Sequence, residues 1–175
     1  MGRMKPYRLI LLSSLVLAGS CGPALSQPSD GAVCVDLQAA YALRAPACER
    51  ALGANLSAAP GDEARLLINR AWFRSINHQD AAAHADYDRA VGLDGSYINY
   101  NERGFYFLRI GQFDAAIADY DHAISLNPGT AYSLYGRGLA WIRKGEQTRG
   151  EADLAQARQN DPNVDQVFRR FGLHP

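Results

Sequence analysis

Lysine is almost absent from this 175-residue sequence, in which Lys5 and Lys144 are the two examples. The 18 lysines and arginines balance 18 aspartates and glutamates, which gives a formal net charge of zero. Arg3, Lys5 and Arg8 lie in an N-terminal segment that we expect to be removed, so the rest of the chain carries a charge of about −3. Affinity for a phosphate backbone comes from clustered lysine and arginine. The sequence therefore predicts no binding of nucleic acid.

The sequence also lacks the signatures of catalysis. We find no metal-ligand cluster, nucleophile elbow, phosphate-binding glycine loop or nucleotide fingerprint at a usable spacing. His78, Asp80 and His84 are the best candidates for metal ligands, but a zinc site needs at least three well-placed ligands, and these residues also suit an ordinary helix connection. We therefore predict a protein that is not an enzyme and has no metal, cofactor or small-molecule substrate.

Long hydrophobic runs are missing as well. The apolar run Leu9–Ala18 follows a basic head and is too short to span a bilayer comfortably. Ala24 and Ser26 place small residues where signal peptidase requires them. We predict a signal peptide over residues 1–26 and a periplasmic or secreted mature protein that begins at Gln27.

A lipid anchor is the alternative interpretation of the same segment. The sequence Leu17-Ala-Gly-Ser-Cys21 resembles a bacterial lipobox that ends in an acylated cysteine, although Ala18 stands where a larger aliphatic residue is usual. Lipidation of Cys21 would tether the protein to a membrane. Without that modification we expect no contact with a membrane.

What the sequence does contain is a repeat of 33 or 34 residues. The heptapeptide Ala85-Asp-Tyr-Asp-Arg-Ala-Val91 recurs as Ala118–Ile124 and, more weakly, as Ala152–Arg158. A repeat of this length is one helix pair, which cannot bury its apolar face alone and must stack on neighbouring pairs. We therefore predict an all-α, right-handed α-solenoid of stacked antiparallel helix pairs.

These repeats resemble the tetratricopeptide repeat (TPR), whose pattern places large and small residues at set positions. The middle copy fits best, with Tyr100, Gly104, Phe107, Gly111, Ala116, Tyr120, Ala123 and Pro128. The resemblance implies a TPR array over residues 64–164, divided into units 64–96, 97–130 and 131–164. The small residues mark close approaches of two helices, so a bulky residue at Gly104 is expected to overpack the interface.

Two of the three cysteines form an even pair outside the leader. In an exported protein Cys34 and Cys48 would meet an oxidising compartment, so we predict a disulfide between them, with a buried free thiol as the alternative. The segment Ala47–Leu52 echoes Asp119–Ile124 of the middle repeat. We therefore assign residues 27–63 to a degenerate N-terminal helix pair, with Cys34 on its first helix.

An apolar stripe at helical spacing ends the chain. It consists of Val164, Val167, Phe168 and Phe171 and is followed by Gly172. Such stripes usually mark a buried face, and the last unit of a solenoid needs a cap. We predict a C-terminal capping helix over residues 165–175. The alternative is that Phe168 and Phe171 form an exposed hook for a partner.

Arginine and aspartate recur together at a constant separation. The pairs are Arg70 with Asp86, Arg103 with Asp119, and Arg137 with Asp153. The constant separation predicts that each arginine bridges the two helices of its unit, which gives a ladder of three structural ion pairs. The alternative is a solvated charged face.

The TPR resemblance also implies that the first helix of each unit lines a concave groove. The residues that we expect to bind a partner there are Arg65, Ile68, Trp72, Phe105, Arg109, Tyr132, Tyr135 and Arg143. This surface is apolar and aromatic with basic edges, so the implied ligand is an unknown protein or peptide with apolar side chains. The alternative is that Trp72 and Phe105 belong to the core.

One known use of TPR grooves does not fit this sequence. The family's carboxylate clamp uses Lys, Asn and Arg side chains, whereas Ile68, Trp72, Glu102, Tyr132 and Gly136 occupy the matching places. Three candidate functions remain. They are a periplasmic or secreted interaction module, a lipid-anchored component of an envelope assembly complex, and a non-catalytic accessory subunit of an exported enzyme.

Overall fold

The computed structural model describes residues 29–36, 38–54 and 60–175. The predicted signal peptide, its cleavage site after Ser26 and the alternative lipidation site Cys21 lie outside the described residues. Regular secondary structure within the described ranges is entirely helical, as the repeats predict. No helix of this described part is both long enough and apolar enough to cross a membrane.

The helices follow one another along the chain as consecutive pairs and a short final helix. They are α1 Asp30–Val35, α2 Tyr41–Gly53, α3 Pro60–Ile76, α4 Asp80–Leu93, α5 Tyr97–Arg109, α6 Phe113–Leu126, α7 Ala131–Arg143, α8 Gln147–Asn160 and α9 Val164–Arg169. The most extensive packing is within the pairs α1–α2, α3–α4, α5–α6 and α7–α8, and each pair also packs on the next. The chain is therefore an all-α solenoid of stacked helix pairs. Helix α3 begins at Pro60, before the predicted start of the array at residue 64.

The repeated heptapeptide lies on the second helix of each pair, and its large residue at the third position is buried in the core. Tyr87 of α4 and Tyr120 of α6 are buried, and Leu154 of α8 takes the same place in the last pair. Small residues on the facing helices leave space for these large side chains. A Cβ atom added at Gly104 would lie 3.1 Å from a ring carbon of Tyr120, which supports the expected overpacking at this position.

The turn between the two helices of a pair requires a left-handed residue. Gly111 and Gly145 fill this place in the second and third units with φ angles of 78° and 89°. His78 occupies the same place in the first unit with a φ angle of 59°. A non-glycine residue adopts this conformation at a modest energetic cost. The departure of the first unit from the TPR pattern therefore leaves the turn itself unchanged.

A disulfide joins the two helices of the N-terminal pair. Cys34 of α1 and Cys48 of α2 are bonded, with a Cα–Cα distance of 4.8 Å and 14 residues of sequence separation. Both cysteines are fully buried, in a cluster with Ala47, Leu66 and Phe73. Because α1 has only six residues, it has little apolar surface of its own with which to hold this packing.

Removing the bridge is expected to destabilise the N-terminal pair. The double variant Cys34→Ala/Cys48→Ala loses about 3 kcal/mol of unfolding free energy, since the bridge closes a loop of this length in the unfolded chain. Urea unfolding followed by circular dichroism measures the loss. The matched test is thiol counting on the unreduced protein: two free thiols at this pair would contradict the assignment.

Each arginine of the predicted ladder contacts its aspartate through two hydrogen bonds. The Nε and Nη2 atoms of Arg103 donate to the two carboxylate oxygens of Asp119 at 2.8 and 2.7 Å. Arg70 makes the same contacts with Asp86, and Arg137 makes them with Asp153. In every unit the arginine therefore joins the first helix to the second through a bidentate, charge-assisted pair.

The structure adds a second carboxylate to each arginine, which the sequence analysis missed. Arg103 also donates to Asp88 of the preceding pair at 2.9 Å, and Arg137 donates to Asp121 at 2.7 Å. Arg70 makes the corresponding contact with Glu49 of the N-terminal pair. The sequence signal for this second contact was the fourth residue of the heptapeptide, which is an aspartate in the first two copies. Each arginine thus joins three helices and connects consecutive pairs.

Candidate functional site

A cavity of about 350 Å³ lies on the face formed by the first helices of the three repeats. Helices α3, α5 and α7 form one side, and α9 with the residues after it forms the other. Its size lies within the range of about 300–1,000 Å³ that is usual for ligand pockets. We call it the concave cavity. It is lined by Arg44, Ile68, Asn69, Trp72, Asn101, Glu102, Phe105, Tyr132, Val167, Phe168 and Phe171.

Four of the eight predicted groove residues line this cavity: Ile68, Trp72, Phe105 and Tyr132. The Trp72 and Phe105 rings lie 6.1 Å apart, centroid to centroid, although they come from different repeats. Tyr132 is 43% exposed. A hydrophobic wall with solvent access therefore crosses all three repeats.

The three predicted basic residues lie outside the lining of the cavity. The Arg109 guanidinium stands 4.8 Å from the Trp72 ring centroid and donates to Ser75 Oγ at 3.0 Å. Arg65 is largely exposed and pairs with Asp62 within its own helix. Arg143 donates to the backbone carbonyl of His174 at 3.0 Å. The expected basic edges are therefore used in contacts within the chain.

The placement of Tyr135 in the groove is incorrect. Its side chain is fully buried, and its ring packs on Phe168 of α9 with a centroid distance of 4.6 Å. Tyr135 lies on the predicted face of α7, but α9 covers that part of the face. The residue belongs to the core beneath the cap and is unavailable to a partner.

The C-terminal segment combines the two roles that the sequence left open for it. Val164 and Phe168 are buried against the last pair, as a cap requires. Phe171 is 45% exposed, and its ring lies 5.5 Å from Trp72 and 5.2 Å from Phe105. The segment after α9 therefore reaches across the concave face to the first repeat and forms a wall of the cavity.

A polar cluster holds α9 in this position. Asp165 accepts a hydrogen bond from Tyr135 Oη at 2.6 Å and two from the Arg158 guanidinium at 2.8 and 2.9 Å. The hydrogen bonds from Arg158 lower the pKa of Asp165 to about 2. Desolvation, with the bond to Asp165, raises the pKa of Tyr135 to about 12. Asp165 is therefore ionised and Tyr135 is protonated at neutral pH.

The cavity also has a polar side, whose residues are not among the eight predicted to bind a partner. Arg44, Asn69, Asn101 and Glu102 line it. Arg44 is bound within the chain, because it donates to the Cys34 carbonyl at 3.2 Å and to Asn69 Oδ1 at 2.6 Å. Helical periodicity of the repeats gave no sign that Arg44 of α2 reaches the cavity.

In the described part of the chain, no group of three or more His, Cys, Asp and Glu side chains is arranged to hold a metal ion. The predicted weak candidate His84 instead pairs with Asp88 at 3.4 Å and packs edge-on against Phe107 with a centroid distance of 5.3 Å. Its ring therefore belongs to the surface packing between two repeats.

Comparison with known proteins identifies the fold as that of TPR proteins. The chain is similar to YrrB, a TPR protein with an unusual peptide-binding site, at 19% identity and a TM-score of 0.60 over 76% of this chain and 66% of YrrB. It is also similar to the protein MamA at 21% identity and a TM-score of 0.56, over 74% of this chain and 68% of MamA. No protein-family model matches the sequence. The resemblance read from the repeats is thus confirmed for the fold.

Proposed function

We propose that this chain is a periplasmic or secreted protein–protein interaction module that binds a peptide or protein segment in the concave cavity. The observation that carries the proposal is the solvent-accessible wall of Ile68, Trp72, Phe105 and Tyr132, which extends across three repeats. Tryptophan and tyrosine are favoured at the centres of binding interfaces. The wall therefore suits a segment with apolar side chains.

The fold and the N-terminal pair agree with this proposal. YrrB, a protein with the same fold, has a peptide-binding site, and a concave surface of stacked helix pairs is a common binding surface in solenoids. The disulfide between Cys34 and Cys48 suits an oxidising compartment outside the cytosol. Intact-mass measurement of the processed chain tests export. A mature protein that begins at Gln27 supports it, and a diacyl-modified Cys21 would favour the lipid-anchored alternative.

Trp72 is the residue whose loss is expected to weaken partner binding most. Random peptides displayed on phage are selected on the processed, oxidised protein, and the selected peptides are then measured by calorimetry. Trp72→Ala weakens binding about 30-fold or more, the loss expected when a central hot-spot side chain is removed. Leu126→Ala, a change at an exposed apolar residue outside the cavity, serves as the control and leaves affinity unchanged.

The melting temperature separates a binding role from a structural one. Trp72 is partly buried and packs on Phe105 and Phe171, so its removal lowers the melting temperature moderately. A folded Trp72→Ala protein that binds the selected peptides as well as the wild type would refute the proposed site. An unfolded variant is replaced by Tyr132→Ala, which removes an exposed wall residue and carries the same expectation.

A further inference from the structure

The carboxylate of Glu102 lies in the concave cavity without a cationic partner. Among residues 29–36, 38–54 and 60–175, no arginine, lysine or histidine forms an ion pair with it. Two arginines at the cavity have other partners: Arg44 donates to Asn69 and to the Cys34 carbonyl, and Arg109 lies over Trp72 and donates to Ser75.

The surroundings of Glu102 are poor in water. Its side chain retains partial exposure because it faces the cavity. Desolvation by the packed helices nevertheless raises its pKa, an effect that the neighbouring Asn101 side chain offsets in part. A charge in such a place is costly unless an opposite charge compensates it. A bound cation would supply that compensation.

The other lining groups also favour a positive charge. The rings of Trp72, Phe105, Tyr132, Phe168 and Phe171 line the cavity beside the carboxylate. Aromatic faces attract a cation electrostatically, and the attraction grows when the pair is shielded from water. Trp72 already holds the Arg109 guanidinium against its ring. The remaining aromatic surface can accept a second cation supplied by a ligand.

The core near Glu102 contains a polar atom without a partner, although it lies outside the lining of the cavity. The hydroxyl oxygen of Tyr120 is buried and has no hydrogen-bond partner among the described residues. Desolvation raises the pKa values of the Tyr87 and Tyr120 hydroxyls, and the nearby negative charge of Glu102 raises them further. Neither tyrosine lines the cavity, so these hydroxyls show only that Glu102 lies close to the buried core.

We infer that the partner segment inserts a lysine or arginine side chain into the concave cavity, where its cationic end pairs with Glu102 and its stem lies along the aromatic wall. This inference rests on the proposed function and names the chemistry of its ligand. Charge complementarity selects this occupant, since a purely apolar segment would bury the carboxylate without compensation. The negative charge of Glu102 also makes the cavity unsuitable for binding a terminal carboxylate.

The test compares selected peptides and their neutral isosteres on two proteins. Peptides obtained by phage selection on the processed, oxidised chain are synthesised with arginine and with citrulline, which has nearly the same shape but no charge. Each is measured by calorimetry on the wild type and on Glu102→Gln, a variant that keeps the size of the side chain.

The expected result is enrichment of lysine and arginine among the selected peptides. Replacing arginine by citrulline weakens binding to the wild type about tenfold, the value of one charge-assisted contact, and the same replacement has little effect on Glu102→Gln. This non-additive pattern assigns the loss to the pair of charges. A change in folding alone would affect both peptides equally.

Two results would overturn the inference and leave the proposed function intact. One is a set of peptides that need Trp72 but contain no excess of basic residues; the other is arginine peptides that bind the wild type and Glu102→Gln with equal affinity. Failure of the proposed function has a different signature. In that case no selected peptide loses affinity for Trp72→Ala or Tyr132→Ala, and both proposals fall together.

Discussion

Replacing Asp119 with alanine lowers the free energy of unfolding by about 3 kcal/mol or more. The Asp119 side chain is only 6% exposed, and it forms the bidentate pair with Arg103 that joins α5 to α6. Its hydrogen bonds raise the pKa of the Arg103 guanidinium, which remains charged when the partner is removed. The variant therefore leaves the Arg103 guanidinium largely buried without its bidentate carboxylate partner. Urea unfolding of the variant and of the wild type gives the difference.

Asp88 provides the matched control because it binds the same arginine. Its carboxylate accepts from Arg103 Nη1 at 2.9 Å, but its side chain is 52% exposed. Exposed ion pairs contribute at most about 1 kcal/mol, so Asp88→Ala has a small effect. Equal losses of unfolding free energy from Asp88→Ala and Asp119→Ala would contradict this assignment. They would show that the buried pair stabilises the fold no more than the exposed one.

Adding a single methyl group at Gly136 is expected to cost about 3 kcal/mol. A Cβ atom there would overlap the Cζ and Oη atoms of Tyr120 and lie 2.8 Å from its Cε1. The Tyr120 ring is fully buried in the core, so it has little room to move away from the added atom. Gly136→Ala must therefore separate the middle pair from the last one. Thermal and urea unfolding measure the effect.

Gly92 shows that the expected loss comes from contact and not from helix propensity. It lies inside α4, and an added Cβ would meet no atom within 4 Å. Because alanine is favoured over glycine in a helix by up to about 1 kcal/mol, Gly92→Ala is expected to leave stability unchanged or to raise it. If both variants behave alike, the close packing of Tyr120 against Gly136 is not the cause.

The repeated features of the fold could be predicted from the sequence because they are local. The bidentate pair of Arg103 and Asp119 depends on the geometry within one helix pair, which the period of the chain preserves in every copy. The second carboxylate at Asp88 belongs to the preceding pair. It was visible as the repeated aspartate after Tyr87 and Tyr120, but its contact depends on how consecutive pairs stack.

The walls of the cavity could be predicted only in part. Helical periodicity shows which face of α7 carries Tyr132 and Tyr135, but it does not show what folds over that face. Helix α9 covers Tyr135 and leaves Tyr132 exposed. The contact of Phe171 with Trp72 joins the end of the chain to its first repeat. Such a contact follows from the curvature of the whole stack, which no single repeat encodes.

The chain's two tryptophans offer the most direct test of the cavity as the binding site. Trp72 lines the cavity, whereas Trp141 lies outside its lining, with the cationic groups of Lys144 and Arg149 near its ring. The measurement is the shift of the two indole N–H resonances in a nitrogen-15 NMR titration with a selected peptide. The expected result is a progressive shift of the Trp72 signal while the Trp141 signal stays in place. A shift of Trp141 with Trp72 unchanged would contradict binding in the concave cavity.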